Sequence, residues 1–472
     1  MTSTPLWQLS AVEQAEGIRA GTFSATEAVE AAIARLDEVN PTLNAVTMDL
    51  RESAMEAAAA ADQRRADGDQ TLGPLHGVPV TIKENIDQEG LANTNGLPAL
   101  ADQIAPADSP VAANLRKAGA IVIGRTNTPE FSYRWFTDNP LRGRTLNPWD
   151  ANVTPGGSSG GAASAVATGV GAIAHGNDLG GSLRYPAYAC GVATIKPGLG
   201  RIAAYNPSSV EERPPTLQLM SVQGPIAREM RDVRLAFEVM AAADPRDPWW
   251  VPAPLRGPEL AGPIRVAMTH GPHDQPIDPG VATAIQQAAD HLSNAGFAVE
   301  AVDPPHIEEA AERWRQLIGA DTREMMMPAI REYGSERLNE LAGVFGELSD
   351  AYDLATYMRL SADRTRLWRE WAEFMQDYPL VLAPVSQVPP FPQGADEQGA
   401  LAYRELVAQQ AMLYVINLLG LPSAAVPTGL HENVPMGVQL IGPRFREDLC
   451  MDAAERIEDA VGVLARELWS RN

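Results

Sequence analysis

Cysteine is almost absent from this chain of 472 residues, which carries only Cys190 and Cys450. One disulfide is arithmetically possible, but a disulfide-framed fold is excluded, and a reduced, cytoplasmic setting is expected. Basic residues are also scarce: 37 Lys and Arg stand against 60 Asp and Glu, for a net charge of -23. With no Lys/Arg block anywhere, neither nucleic acid nor an anionic membrane surface is an expected partner. The acidity reads as a source of solubility, with a weak preference for cationic substrates as the other reading. Seven histidines occur, but no HExxH and no ligand pair at turn spacing, so the sequence gives no support for a metal site. No apolar run approaches the roughly 20 residues that span a bilayer. Residues 1–10 lack a basic n-region and an apolar h-region, so no secretory signal is expected. Fixed-period repeats and low-complexity linkers are missing too.

What remains is a globular composition, 45% hydrophobic. Ser10 with Glu13 and Ser24 with Glu27 have the spacing of capping boxes. Ala28, Val29, Ala32, Ile33 and Leu36 then recur at helical spacing, and Asn40-Pro41 is expected to stop that helix. A third helix is expected over 51–65. Val78, Val80 and Ile82 alternate as in a strand that ends just before Lys83. A helix over 111–117, a strand over 120–123 and a loop over 124–127 follow. The Gly-rich stretch 156–200 reads as a loop (156–161), a helix (162–170) and a second loop (176–182). Further helices are expected at 228–240, 279–292, 401–419 and 447–468, with strands at 264–268, 297–302, 381–383, 424–426 and 437–441. Residues 309–371 read as mainly helical, with breaks near Pro328 and Gly343 to Gly346. The alternation of strands and helices makes the class α/β. One domain over 1–472 is expected: a helical cover (1–70), a catalytic core (71–230), a variable helical and pocket region (231–380) and a C-terminal return to the sheet (381–472).

Three local patterns put reactive groups on accessible backbone. In Pro155-Gly156-Gly157-Ser158-Ser159-Gly160-Gly161 two hydroxyls have almost no side-chain cover. The run suits a phosphate nest or a flexible turn as well as catalysis, but it lacks the Gly-Lys-Ser/Thr ending of a Walker A loop. In Gly180-Gly181-Ser182 a hydroxyl sits beside unscreened N–H groups. That suits either a structural turn or an oxyanion pocket, whose donors stand about 2.7–3.1 Å from the developing charge. Lys83 follows an apolar strand, where a lysine is solvated, paired with a carboxylate, or made a base by burial and neighbouring groups.

Longer blocks surround these residues: 74–85 (PLHGVPVTIKEN), 176–184 (GNDLGGSLR), 190–197 (CGVATIKP), 224–228 (GPIAR), 417–422 (NLLGLP) and 435–442 (PMGVQLIG). In this order, across residues 74–442, they resemble the amidase signature family. The resemblance implies a central mixed, twisted β-sheet flanked by helices on both faces. It also implies Ser182 as nucleophile, Ser158 as a bridging hydroxyl preceded by a cis peptide bond, and Lys83 as terminal base. The N–H groups of Leu179, Gly180, Gly181 and Ser182 would receive the oxyanion. Asp178 and Arg184 are expected to fix the loop by a charge-assisted hydrogen bond, or to be an ordinary ion pair. Ser159 would orient its neighbours. Cys190 matches a small buried position rather than a thiol nucleophile. His76 and His175 invite a Ser-His reading, but no partner acid is identifiable.

Several positions depart from the family pattern. Asn177 and Leu179 stand where the family often has Thr, and Gln223 where it usually has His. Phe131-Ser132-Tyr133-Arg134-Trp135-Phe136 replaces a segment seen in glutamine-processing relatives. These departures disfavour a tRNA-amidotransferase subunit. The implied activity is hydrolysis of small aryl or alkyl amides by a monomer or homodimer without metal or organic cofactor. Carbamate or ester hydrolysis is the nearest rival and a glutaminase subunit the next. Tyr133, Trp135 and Phe136 are expected to line an apolar entrance or to be core, with parts of 310–375 as the other wall.

Overall fold

The computed structural model describes residues 4–347 and 353–471. Among them one eleven-stranded sheet organises the chain. In sequence order its strands are β1 (Val46–Asp49), β2 (Pro79–Lys83), β3 (Ile121–Thr126), β4 (Ile173–Asp178), β5 (Ala193–Lys196) and β6 (Val222–Ala227). They continue with β7 (Arg265–Met268), β8 (Ala298–Ala301), β9 (Leu380–Pro384), β10 (Ser423–His431) and β11 (Val434–Ile441). Across the sheet the order is β1-β3-β2-β4-β6-β5-β10-β11-β9-β7-β8. β3, β2 and β4 run parallel, as do β9, β7 and β8. The strands between them pair antiparallel, and β1 adds an antiparallel edge. The sheet is therefore mixed.

Successive strand residues point to opposite faces, and here both faces are buried. Ile121 and Ile123 pack with Ala28, Val29 and Ala58, whereas Val122 between them packs with Val80 and Val111. Likewise Leu380 and Leu382 join one cluster, and Val381 and Ala383 join Trp314 and Leu367 in another. Strands buried on both sides need helices on both sides. Helices Pro110–Lys117, Met230–Met240, Pro279–Asn294 and Glu447–Val461 contribute to the first cluster. Helices Ala25–Leu43 and Arg51–Ala66, and farther along Ile307–Asp321 and Ala411–Leu419, pack against the other face. No helix among the described residues is long and apolar enough to cross a membrane.

Both capping boxes form. The helix expected to stop at Asn40-Pro41 runs on to Leu43 and ends at Asn44, whose φ is 50°. The Asn40 side chain accepts from the Ala45 and Val46 N–H groups, so it fastens the exit turn. Residues 176–178, read as loop, are the end of β4, because the ladder to β6 runs on through Asp178 and overrides the local Gly and Asn signals. β3 similarly runs on to Thr126. The 401–419 helix divides into Ala400–Ala408 and Ala411–Leu419. Gly343 and Gly346 lie inside helix Glu336–Glu347 instead of breaking it, and residues 348–352 of the expected helical run lie outside the described residues.

Candidate active site

Lys83 ends β2, and Asn177 and Asp178 end its parallel neighbour β4, so the topology brings these side chains to one end of the sheet. Ser158 and Ser159 precede helix Gly160–Ala167, and Ser182 lies in the short connection from β4 to helix Arg184–Cys190. The Gly157–Ser158 peptide bond is cis. Lys83 Nζ lies 2.7 Å from Ser158 Oγ, 3.1 Å from Ser159 Oγ and 2.7 Å from Asn177 Oδ1.

Lys83 has no exposed surface, and none of these three partners is charged. Burial holds its amine well below the ordinary lysine range, against the opposing pull of the Asp178 charge. A neutral amine offers two N–H donors and one lone pair. Asn177 Oδ1 can only accept. Ser159 Oγ can accept from Nζ while directing its own proton to Asn177 O at 3.4 Å. The lone pair is then left for the Ser158 hydroxyl, an arrangement able to take a proton from that side.

Ser182 is half-buried and lines the same cavity as Ser158 and Asn177. Its Oγ has no hydrogen-bond partner among the described residues, so the Lys83–Ser158 link is closed while the link from Ser158 to Ser182 is open. Catalytic hydrogen bonds are often long before substrate binds. Of the four N–H groups assigned to the oxyanion pocket, those of Leu179, Gly180 and Ser182 have no protein acceptor among the described residues. Gly181 departs from the expectation, because its N–H donates to Asp178 Oδ1 at 2.9 Å. Gly181 also has φ of 100°, and an added Cβ would overlap Leu413.

Asp178 and Arg184 form a fully buried, two-pronged ion pair: Nη2 to Oδ1 at 3.0 Å and Nε to Oδ2 at 3.1 Å. Burial opposes the Asp178 charge, but Arg184 and the backbone donors outweigh it and hold the carboxyl far below its usual range. Arg184 also donates to Gln439, Leu413 O and Asn417. Cys190 is buried and donates to Pro155 O, and burial pushes its thiol up, which keeps it protonated. His76 contacts Ala61 O. His175 contacts Gln223 and is pulled down to about 3 by burial, so it is neutral.

The cavity measures about 630 Å³, within the usual range of small-molecule sites. Tyr133 and Trp135 line it with Leu179, and so do Trp314, Ile318, Thr322, Phe345 and Tyr403. Phe136 does not line it. Phe136 is buried and stacks on Phe391 at 6.1 Å. Arg134 also lines the cavity and is pinned by Asp396 at 2.7 and 2.9 Å. Sequence reading missed Trp314, whose signal was one aromatic in a helix taken as general wall, and saw Asn177 only as a departure.

A family model described as Amidase matches residues 27–451. An indoleacetamide hydrolase of Bradyrhizobium diazoefficiens is 53% identical over 98% of this chain and 89% of its own. A glutamyl-tRNA(Gln) amidotransferase subunit of Moorella thermoacetica is 32% identical over 96% of this chain and 97% of its own. Among solved structures, a bacterial aryl acylamidase described as an amidase signature enzyme superposes with a TM-score of 0.85 at 27% identity, covering 98% of each chain. The chain thus belongs to the amidase signature family and is an amidase, acting on carbon–nitrogen bonds other than peptide bonds.

Proposed function

We propose that this amidase hydrolyses arylacetamides of the indoleacetamide type, releasing the arylacetate and ammonia through an acyl-enzyme on Ser182. The observation that carries the reading is the aromatic wall built onto the nucleophile loop itself. Trp135 and Trp314 both line the cavity and both hydrogen-bond to that loop, at Gly180 O and Leu179 O. A flat ring against such a wall gains about 0.5–1.5 kcal/mol beyond area burial. The similarity to indoleacetamide hydrolases supports the same choice.

In this mechanism Ser182 Oγ attacks the amide carbon as its proton passes to Ser158, whose own proton passes to neutral Lys83. The free N–H groups of Leu179, Gly180 and Ser182 receive the oxyanion. As the tetrahedral intermediate collapses, the relay returns a proton to the leaving nitrogen and ammonia departs. Water then repeats the attack on the acyl carbon, its proton takes the same route, and Ser182 is regenerated. Ester and carbamate hydrolysis are less favoured, since the similar proteins act on amides or belong to amidotransferases. A glutaminase role fits less well, because the wall on the loop is aromatic and the similarity to the amidotransferase protein is weaker.

The test is turnover of indole-3-acetamide and acetamide by purified protein, with both products quantified. Indoleacetate and ammonia should form one to one, and kcat/KM for acetamide should be about thirtyfold lower or worse, the worth of burying an indole ring. Ser182→Ala should cost about a thousandfold or more in kcat. Full activity in that variant overturns the nucleophile, and a preference for acetamide overturns the substrate class.

A further inference from the structure

The loop that bears Ser182 is held by the Asp178 carboxylate on its Gly181 and Leu183 N–H groups and by four donors on its carbonyls. In a trans peptide the C=O of one residue and the N–H of the next point in opposite directions. Fixing a carbonyl therefore aims the following N–H. Asp178 O accepts from Asn417 Nδ2 at 3.1 Å, Leu179 O from Trp314 Nε1 at 3.1 Å, Gly180 O from Trp135 Nε1 at 3.0 Å and Gly181 O from Tyr185 N at 2.7 Å. The N–H groups paired with these carbonyls belong to Leu179, Gly180, Gly181 and Ser182. Among the described residues only that of Gly181 is taken up, by Asp178.

Two of the four anchors are indole N–H groups from separate parts of the chain. We infer that Trp314 and Trp135 are positioning residues: their indole N–H groups orient the peptide planes that present Gly180 N–H to the oxyanion and support Ser182. The inference rests on Ser182 being the nucleophile. Trp314 fixes the 179–180 plane through Leu179 O and so orients the free Gly180 N–H. Trp135 and Asp178 hold the 180–181 plane from its two ends, so that plane cannot rotate without breaking a bond.

Neither indole is free to swing. Trp314 is 5% exposed, stacks on Tyr414 with centroids 4.3 Å apart and planes 9° apart, and meets Phe345 edge-on at 6.0 Å. Trp135 lies between Arg134, which Asp396 pins, and the buried Phe136, and its ring centroid is 5.9 Å from that of Tyr414. Gly180 belongs to the same fit, since an added Cβ would stand 3.1 Å from the Trp314 ring. A donor aimed before the reaction needs no reorganisation as charge develops, which is the condition under which an oxyanion contact accelerates chemistry. The walls that face an aromatic substrate are thus also the struts of the oxyanion pocket.

The deciding variants are Trp314→Phe and Trp135→Phe, which keep a ring against the substrate and delete the donor. Each should lower kcat for indole-3-acetamide about tenfold or more, with KM within about threefold, because the lost interaction acts in the transition state. The affinity for indole-3-acetaldehyde should fall in parallel. There Ser182 Oγ bonds to the carbonyl carbon, the carbonyl π pair moves to oxygen, and the hydroxyl proton passes to the relay. Thermal unfolding and binding of intact amide in the Ser182→Ala background should stay near wild type. Unchanged kcat and aldehyde affinity in both variants, or a loss confined to KM, overturns the inference and leaves the indoles as wall alone. Should Trp314→Phe fail to fold, the half-buried Trp135 decides the matter by the same readouts. Activity retained by Ser182→Ala strikes the nucleophile instead; an inactive Ser182→Ala with fully active Trp variants strikes only the struts.

Discussion

A lysine sealed from water with only neutral partners is more stable without its proton, and Lys83 is such a lysine. Its burial works against the charged form, and the nearest help, the Asp178 charge, is already bound by Arg184. On the proposed mechanism the active form is the neutral amine, so kcat/KM should fall in acid as Lys83 protonates and be flat above that limb. Asn177 controls where the limb lies. Its carbonyl oxygen sits 2.7 Å from Nζ, and Asn177→Asp puts a full negative charge there. An opposite charge at such distance favours the ammonium and raises the pKa by about 1–3 units. The acid limb of the kcat/KM profile should move up by that amount, with full activity recovered above the shifted limb. A limb at its wild-type position in the Asp variant would remove Lys83 from the proton path.

The strand, loop and helix around Ser182 behave as one element because a single ion pair ties them together. Asp178 closes β4 and accepts from the Gly181 and Leu183 N–H groups, while Arg184 opens the next helix and reaches across to Asn417 and Gln439. Arg184→Ala leaves a carboxylate with no exposed surface and no ion-pair partner among the described residues, which should cost about 3–5 kcal/mol in urea unfolding. Adding Asp178→Asn should restore more than about 1 kcal/mol of that loss, since the two groups are in contact; strict additivity would mean the pair is not coupled. This element also marks how far the sequence could be read. The Gly/Ser runs, the lysine segment and the Asp178–Arg184 pairing were legible because each is a local pattern. β4 was not, since Gly176 and Asn177 look like loop until β6 pairs with them. Trp314 was out of reach for a similar reason: its bond to Leu179 O spans 135 residues. Phe136 was misplaced because three aromatics within four residues give no sign of which way each faces.

At the scale of the whole molecule, helices Ala11–Ala20 and Glu447–Val461 meet over helix Met230–Met240 through two carboxyl groups, Asp232 fully buried and Glu458 half-buried. Asp232 accepts from the Ala11 and Val12 N–H groups, and Glu458 accepts from Met230 N–H at 2.8 Å. Burial, and then the neighbouring Glu229, push Asp232 up to about 7, against the pull of Arg228. Burial, with Glu229, Glu455 and Asp232 adding repulsion, pushes Glu458 up to about 8. Both groups therefore keep a proton in the folded chain that they lose in the unfolded chain above their ordinary range. Between about pH 4.5 and 8 the native state binds more protons, so this part of the stability is full in acid and is lost as pH rises through 7 and 8. Lys196, buried and pulled down to about 7, acts in the opposite direction, its cost shrinking as pH climbs toward 10.5. The carboxyl contribution is separated by difference. Glu458→Gln is neutral at every pH and keeps one acceptor for Met230 N–H, so its Tm should gain on wild type steadily from pH 5 to pH 9. Hydrogen exchange should place the wild-type loss in residues 11–20 and 447–461. A Tm difference that does not change with pH would mean that Glu458 is ionised throughout the range, held by its backbone hydrogen bond in spite of its burial.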